Sequence, residues 1–161
     1  MIREFEPLCL EITESVGIWV PKLSELSADI ITGRRNIQNR TIKQILGHMV
    51  DSASNNTHRI VHLQYRENPL VFPNYATEGN NDRWIAIQNY QEEDWKNLVQ
   101  LWKYAHLHIV HVIRNVNHEK LKNEWIPGPS AKNISLRAMI LDFPVHFRLH
   151  LSEMDELIRK Y

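Results

Sequence analysis

The chain has 161 residues, close to the usual size of a single domain, and its 19 basic and 19 acidic side chains cancel. Because no block of like charge appears, the composition argues against binding to nucleic acid or to an anionic membrane surface. No uninterrupted apolar run approaches the roughly 20 residues that span a bilayer, so no transmembrane segment is expected.

Apolar residues recur at helical spacing in the first half of the chain. The first predicted helix covers residues 3–26, with Pro21 as a place where it can kink. Residues 34–40 are polar and predict a loop. Thr41 is a suitable N-cap for a second helix, which the apolar spacing continues to about residue 64. Two long helices are therefore expected before the middle of the chain.

A long connection follows, and then two more helices. Residues 68–89 contain Pro69, Pro73 and an asparagine-rich run with Gly79, which predicts an ordered or partly helical connection. The third helix is expected at residues 92–116, and the WIPGP stretch at 125–129 ends any helix. Ser135 is a suitable N-cap for a fourth helix to residue 160. The pattern predicts an all-α four-helix bundle with a long connection between helices 2 and 3, in one domain at 1–161.

Cys9 is the single cysteine, which excludes an internal disulfide. The first residues, MIREFEPLCLEI, lack the charged and apolar zones of a signal peptide. A cytoplasmic location is the resulting expectation.

Three histidines form a candidate metal site. His146 and His150 lie four residues apart in the last predicted helix, so both imidazoles leave the same helix face and can chelate one ion. His48, on the flank of the second predicted helix, is the candidate third ligand. Such a site with an open position is a catalytic arrangement, because water or substrate takes the vacant place. However, His58 and His62 have the same spacing on a more polar helix face, so spacing alone does not establish a metal site.

A polar strip follows His48 along the second predicted helix. Ser52, Asn55 and Arg59 lie on its flank, while the other side of that helix is apolar. These side chains either line a substrate pocket or form an ordinary exposed face, and the sequence leaves both interpretations open.

Two carboxylates lie within one helical turn of the histidine pair. Asp142 precedes His146 by one turn and Glu153 follows His150 by three residues, so either can orient an imidazole through its second ring nitrogen. The alternative is that both are solvated helix charges. Pro144, two residues before His146, removes a backbone donor and can kink the helix, which either aims the pair or spoils it.

Several stretches together resemble a known family. The second predicted helix reads ILGHMVDSASNNTHR, a later part reads FPNY, then NDRW and LVQLWKYAHLHIVHVI, and the last helix contains HFRLHLSEMDEL. These stretches resemble the DinB-like, or YfiT-like, superfamily of metal-dependent proteins over nearly the whole chain from about residue 41. The resemblance implies an up-and-down bundle that binds a divalent metal through His48, His146 and His150. Zinc or nickel is the expected metal, with iron and manganese as further candidates.

The resemblance also implies a function class. Some relatives are S-transferases or isomerases that depend on low-molecular-weight thiols, many others have no known activity, and homodimers are common. We expect a metal-dependent transferase or hydrolase of a small-molecule substrate, with thiol or water at the open metal position. The alternative is a non-catalytic binding or interaction bundle whose metal is structural or absent. Four protein ligands would indicate a structural metal, and three ligands with exchangeable water would indicate catalysis.

Overall fold

The helices dominate residues 2–129 and 131–159, which are the part of the chain that the computed structural model describes. The helices are α1 Glu6–Ser24, α2 Ala28–Gly33, α3 Ile42–Tyr65, α4 Asn80–Gln88, α5 Trp95–Arg114 and α6 Leu136–Arg159. The strands are β1 Leu70–Val71, β2 Glu124–Ile126 and β3 Ile134–Ser135. Short 3-10 turns occupy Arg3–Phe5, Tyr90–Glu92 and His118–Lys120.

The four long helices α1, α3, α5 and α6 form the predicted all-α bundle. Helix α3 packs against α5 and α6, and α1 packs against the same two helices. Their facing sides bury a continuous apolar core, which includes Ile12, Met49, Leu98, Trp102 and Phe147. Each such side chain contributes about 1.5–3 kcal/mol when it leaves water completely. This core fixes α3 against α6, the two helices that carry the candidate metal ligands.

Local capping fixes where α3 and α6 begin. The Thr41 hydroxyl accepts a hydrogen bond from the Gln44 backbone N–H, and the Gln44 side chain accepts one from the Thr41 N–H at 3.0 Å. This reciprocal pair is a capping box. The Ser135 hydroxyl accepts from the Ala138 N–H at 3.1 Å. Both predicted N-caps are therefore confirmed.

Proline does not end either helix that contains it. Pro21 lies inside α1 and Pro144 lies inside α6, and each helix continues beyond its proline. Because α6 runs on through His146 and His150, the two imidazoles still leave one face of it.

The connections contain more structure than the sequence pattern indicated. Helix α2 was not predicted, and α4 supplies the helical part of the expected connection between α3 and α5. Strands β1, β2 and β3 form a sheet in that order, with β1 parallel to β2 and β2 antiparallel to β3. The WIPGP stretch does exclude a helix, and its first residues belong to β2. This small sheet holds Trp125 beside α3.

A close approach at Gly47 positions the connection against α3. The Tyr90 ring packs so closely on Gly47 that a Cβ at this position would overlap it. The Tyr90 hydroxyl donates to Asp51 Oδ1 at 2.6 Å, one turn further along α3. Glycine is therefore required here by packing.

None of the helices in the described part of the chain combines the length and the apolar composition that a bilayer-spanning segment needs.

Candidate metal centre

Helices α3 and α6 bring three histidines together. His146 Nε2 lies 3.3 Å from His48 Nε2 and 3.0 Å from His150 Nε2. The three rings meet edge to face, with centroid separations of 5.2, 4.8 and 4.4 Å. One ring nitrogen from each histidine lies within 4.8 Å of the other two. Among the described residues, no other set of three histidine, cysteine or acidic side chains has its ligand atoms this close together. The three residues proposed from the sequence thus share one point in space.

The donor set suits a divalent transition metal. Nitrogens bound about 2.0–2.1 Å from a tetrahedral zinc ion lie about 3.3 Å from one another. The two Nε2 separations at His146, 3.3 and 3.0 Å, are close to this value. Imidazole is a ligand for zinc, nickel and iron, so the chemistry of the donors fits these ions without selecting one.

Burial keeps two of these imidazoles neutral. His48 and His150 are buried and His146 is half-buried. Desolvation, reinforced by the neighbouring His150, lowers the pKa of His48 to about 2 and that of His146 to about 4. Because a metal binds the neutral imidazole, these two side chains need not release a proton at neutral pH to bind one.

The second ring nitrogens of the α6 pair have different partners. His150 Nδ1 lies 2.8 Å from Glu153 Oε2, and this hydrogen bond lowers the pKa of the Glu153 carboxyl. An ionised Glu153 accepts the Nδ1 proton and leaves His150 Nε2 free to bind a metal. His146 Nδ1 lies 3.3 Å from the Ser52 hydroxyl. His48 Nδ1 is buried and has no hydrogen-bond partner within residues 2–129 and 131–159.

Asp142 makes no hydrogen bond to the ring of His146 in the described structure, although it lies one turn before His146 on α6. Its side chain is exposed. The hydroxyl of Ser52, from the facing helix, lies beside His146 Nδ1 instead. The proposed orienting role of Asp142 is therefore not supported by the contacts, whereas Glu153 has the contact that such a role requires.

A cavity of about 680 Å³ opens beside the three histidines. Its polar lining includes Ser52, Arg59 and His146, and its apolar lining includes Trp125, Phe143 and Met139. This volume is within the usual range for small-molecule sites, roughly 300–1,000 Å³. Since His146 lies in the cavity wall, the cavity reaches the histidine cluster.

Comparison with known proteins supports the fold. No family model and no curated protein matches the sequence. The solved structure of YfiT from Bacillus subtilis, described as a probable metal-dependent hydrolase with an unusual four-helix bundle topology, superposes with a TM-score of 0.79 at 17% sequence identity. The match covers 99% of this chain and 89% of YfiT. The chain has the YfiT-like fold. The resemblance read from the sequence is thus confirmed at the level of the bundle.

The polar strip on α3 is only partly in the cavity of this YfiT-like bundle. Ser52 and Arg59 line the cavity, but Asn55 does not. Asn55 is buried, and its amide donates to the Asp51 carbonyl oxygen at 2.9 Å. Asn56 lines the cavity instead, because residue 56 lies about 40° from Ser52 around the helix, on the side that faces the cavity. The pocket assignment of Asn55 is corrected accordingly.

Two aromatic residues of the site come from outside the long helices. Tyr75 lies in the connection after β1, and its ring centroid is 6.1 Å from that of His48. Trp125 lies in β2, and its indole N–H donates to the Phe72 carbonyl oxygen at 3.0 Å. Tyr75 belongs to the FPNY motif and Trp125 to WIPGP, but neither stretch has a periodicity that points toward the site.

The histidines on α5 are not part of the group of converging ligand atoms. His106 is buried between aromatic rings, its Nδ1 donates to the Trp102 carbonyl oxygen at 2.7 Å, and burial lowers its pKa to about 4. His108 and His111 are exposed. His58, on α3, is also exposed, in agreement with its polar helix face.

Proposed function

We propose that the protein is a metal-dependent hydrolase of a small-molecule substrate, with His48, His146 and His150 as the metal ligands. The observation that carries this proposal is the convergence of the three imidazoles, one of which, His146, lies in the wall of a cavity of about 680 Å³. The hydrolase description of the structurally similar YfiT is consistent with it. Zinc and nickel are the favoured ions, and iron and manganese are alternatives.

The bound ion would supply a Lewis acid that lowers the pKa of coordinated water. The chain's own residues do the positioning. Glu153 holds the Nδ1 proton of His150, so the Nε2 lone pair is directed at the cluster. Ser52 lies at the second nitrogen of His146 and restrains its ring. Trp125 and Phe143 give the cavity an apolar wall, which excludes water from part of the substrate.

An open coordination position favours catalysis over a structural metal. In the described part of the chain, no fourth histidine, cysteine or carboxylate joins the cluster. Glu153 contacts the far nitrogen of His150 and is not part of the group of converging ligand atoms. A non-catalytic interaction bundle remains the alternative, and a closed four-ligand shell would favour it.

A thiol-dependent S-transferase is the second candidate. It is supported by the motif resemblance and by the neutral donor set, because a metal held by uncharged imidazoles also lowers the pKa of a bound thiol. We also propose, on the resemblance and the lone Cys9, that the protein is a cytoplasmic homodimer. Sedimentation equilibrium tests the dimer, and a monomer at micromolar concentration would contradict it.

Activity screening on metal-loaded protein tests the proposed function. The protein is reloaded separately with zinc, nickel, iron or manganese and assayed against ester and amide substrates, then against thiol and electrophile pairs. We expect hydrolysis that depends on the metal and is lost in His146→Ala. The matched control is the double variant His58→Ala/His62→Ala, which removes a pair with the same spacing on α3. Retention of full activity in His146→Ala, or metal-independent turnover, would refute the proposal.

A further inference from the structure

Arg59 is a buried cation without a carboxylate partner among residues 2–129 and 131–159. Its side chain lies on α3 with 5% of its surface exposed, and it lines the cavity beside the histidines. Among the described residues, no carboxylate lies within 4.0 Å of its guanidinium. Arg40 is nearly as buried, at 6%, but pairs with Asp82 at 2.6 Å. Of these two buried arginines, Arg40 therefore has a carboxylate partner, and Arg59 has none among the described residues.

The contacts of Arg59 leave its terminal nitrogens available. Its guanidinium carbon lies 4.2 Å from the ring centroid of Trp125 and 5.8 Å from that of Tyr75. Its Nε donates to the Asn55 carbonyl oxygen at 3.3 Å. Within the described chain, the two Nη atoms make no hydrogen bond to protein. The aromatic contacts fix the plane of the guanidinium while its donor edge remains free for a ligand in the cavity.

The charge on Arg59 persists at neutral pH. Burial lowers its pKa to about 10, which still leaves the guanidinium protonated in the cell. An unpaired buried charge destabilises a protein unless something neutralises it. Since no carboxylate of the described residues pairs with Arg59, and Asp142 in the same cavity makes no ion pair with it, the expected source of the neutralising charge is a molecule that enters the cavity.

We propose that Arg59 binds the carboxylate of a small substrate whose apolar part lies against Trp125, Phe143 and Met139. A carboxylate fits this site because it is planar, accepts two parallel hydrogen bonds from a guanidinium and carries the single charge that one arginine neutralises. The inference rests on the proposed function only in treating the bound molecule as a substrate, because binding of a carboxylate to Arg59 requires no metal.

The position of Arg59 also constrains the shape of the substrate. Ser52, beside His146, and Arg59 are seven residues apart on α3, or about 10 Å along the helix axis. The long side chain of Arg59 leans toward the helix N-terminus, which shortens this gap by several ångströms. We therefore expect the carboxylate to be a recognition group that is separate from the bond that is cleaved.

Matched acid and amide probes test this assignment by calorimetry. The probes are hexanoate with hexanamide, 4-phenylbutyrate with 4-phenylbutanamide, and phenylphosphonate. Each is titrated into zinc-loaded protein and into protein stripped with a chelator. We expect at least one acid to bind about 10-fold or more tightly than its amide in both forms, because a charge-assisted bidentate pair is lost in the amide. No preference for the acid in any pair, or tighter binding of phenylphosphonate than of the acids, would overturn the carboxylate assignment.

Substitutions separate Arg59 from general electrostatics. Arg59→Met should abolish the preference for acid over amide. Arg59→Lys should retain only part of it, because an ammonium group lacks the planar pair of donors with which a guanidinium binds both carboxylate oxygens. Arg59→Met should also leave the melting temperature unchanged or raised, since it removes an unpaired buried charge. Lys132→Met is the matched control, because Lys132 is an exposed cation of the same cavity. Retained acid preference in Arg59→Met, or its loss in Lys132→Met alone, would contradict the proposal.

Metal content measured on the same samples keeps the two hypotheses distinct. A chelator-stripped protein that still prefers acids through Arg59 supports the inference even if zinc never binds. Stoichiometric zinc with no acid preference supports the metal site and refutes the role of Arg59.

Discussion

Replacing Glu153 by glutamine should weaken metal binding without unfolding the bundle. Glu153 Oε2 accepts from His150 Nδ1 at 2.8 Å, and its side chain is only 18% exposed, so solvent screens the interaction little. Loss of such a carboxylate behind a metal-bound histidine typically lowers metal affinity about 10- to 100-fold. This range corresponds to about 1.4–2.7 kcal/mol. Glutamine preserves the size of the side chain and removes its charge, so the change isolates the electrostatic part of the contact.

A competition titration with a chromophoric chelator at pH 7 measures the zinc affinity of this variant. Asp142→Asn is the matched control, because Asp142 also lies on α6 within a turn of a histidine but contacts no ligand nitrogen in the described structure. We expect the control to change the affinity less than about 3-fold, as for an exposed charge. An unchanged affinity in Glu153→Gln, or equal losses in the two variants, would show that the Glu153 carboxylate does not strengthen metal binding through His150.

Two further substitutions test the packing and the protonation of the core, each by denaturant unfolding of metal-free protein. Gly47→Ala should lower the free energy of unfolding by about 1–3 kcal/mol, because the added Cβ overlaps the Tyr90 ring. Gly17→Ala in α1 is the control and should be neutral or stabilising, because nothing lies within 4 Å of a Cβ at that position. Equal effects of the two substitutions would contradict the close packing of Tyr90 on Gly47. His106, with a folded pKa of about 4 against 6.5 unfolded, contributes stability that is complete above pH 6.5 and falls by about 3 kcal/mol as the pH drops to 4. His106→Gln should flatten this part of the stability profile, and an unchanged slope between pH 6.5 and 4 would show that His106 is not neutral in the fold.

The bundle could be predicted because its signals are local. Each long helix has an apolar stripe with a period near 3.6, and Thr41 and Ser135 mark two helix starts with side chains that accept backbone hydrogen bonds. The strands have only two or three residues, which is too short for an alternating pattern. Their pairing depends on which segments the bundle brings together, so the small sheet had no signal in the sequence.

The candidate site could likewise be predicted only in part from the sequence. The spacing of His146 and His150 places both on one face of α6, but only the packing of α3 on α6 shows that His48 meets them. Helical spacing also made Asp142 and Glu153 equal candidates for orienting an imidazole. In the structure, Glu153 contacts His150, whereas Ser52 from the facing helix lies beside His146 in place of Asp142.

Trp125 comes from a strand whose register with β1 and β3 is set by tertiary contacts. Its position over Arg59 therefore could not be read from the chain, although Arg59 itself was a pocket candidate.

Metal content tests directly whether His48, His146 and His150 bind an ion. Wild type and His150→Ala, purified without an affinity tag, are analysed by elemental mass spectrometry before and after reloading with zinc, nickel, iron or manganese. We expect close to one transition-metal ion per chain in the wild type and its loss in His150→Ala, which removes one of three converging nitrogens. Wild-type protein that retains none of these ions after reloading, or a variant that retains as much as the wild type, would exclude a metal site at these three histidines.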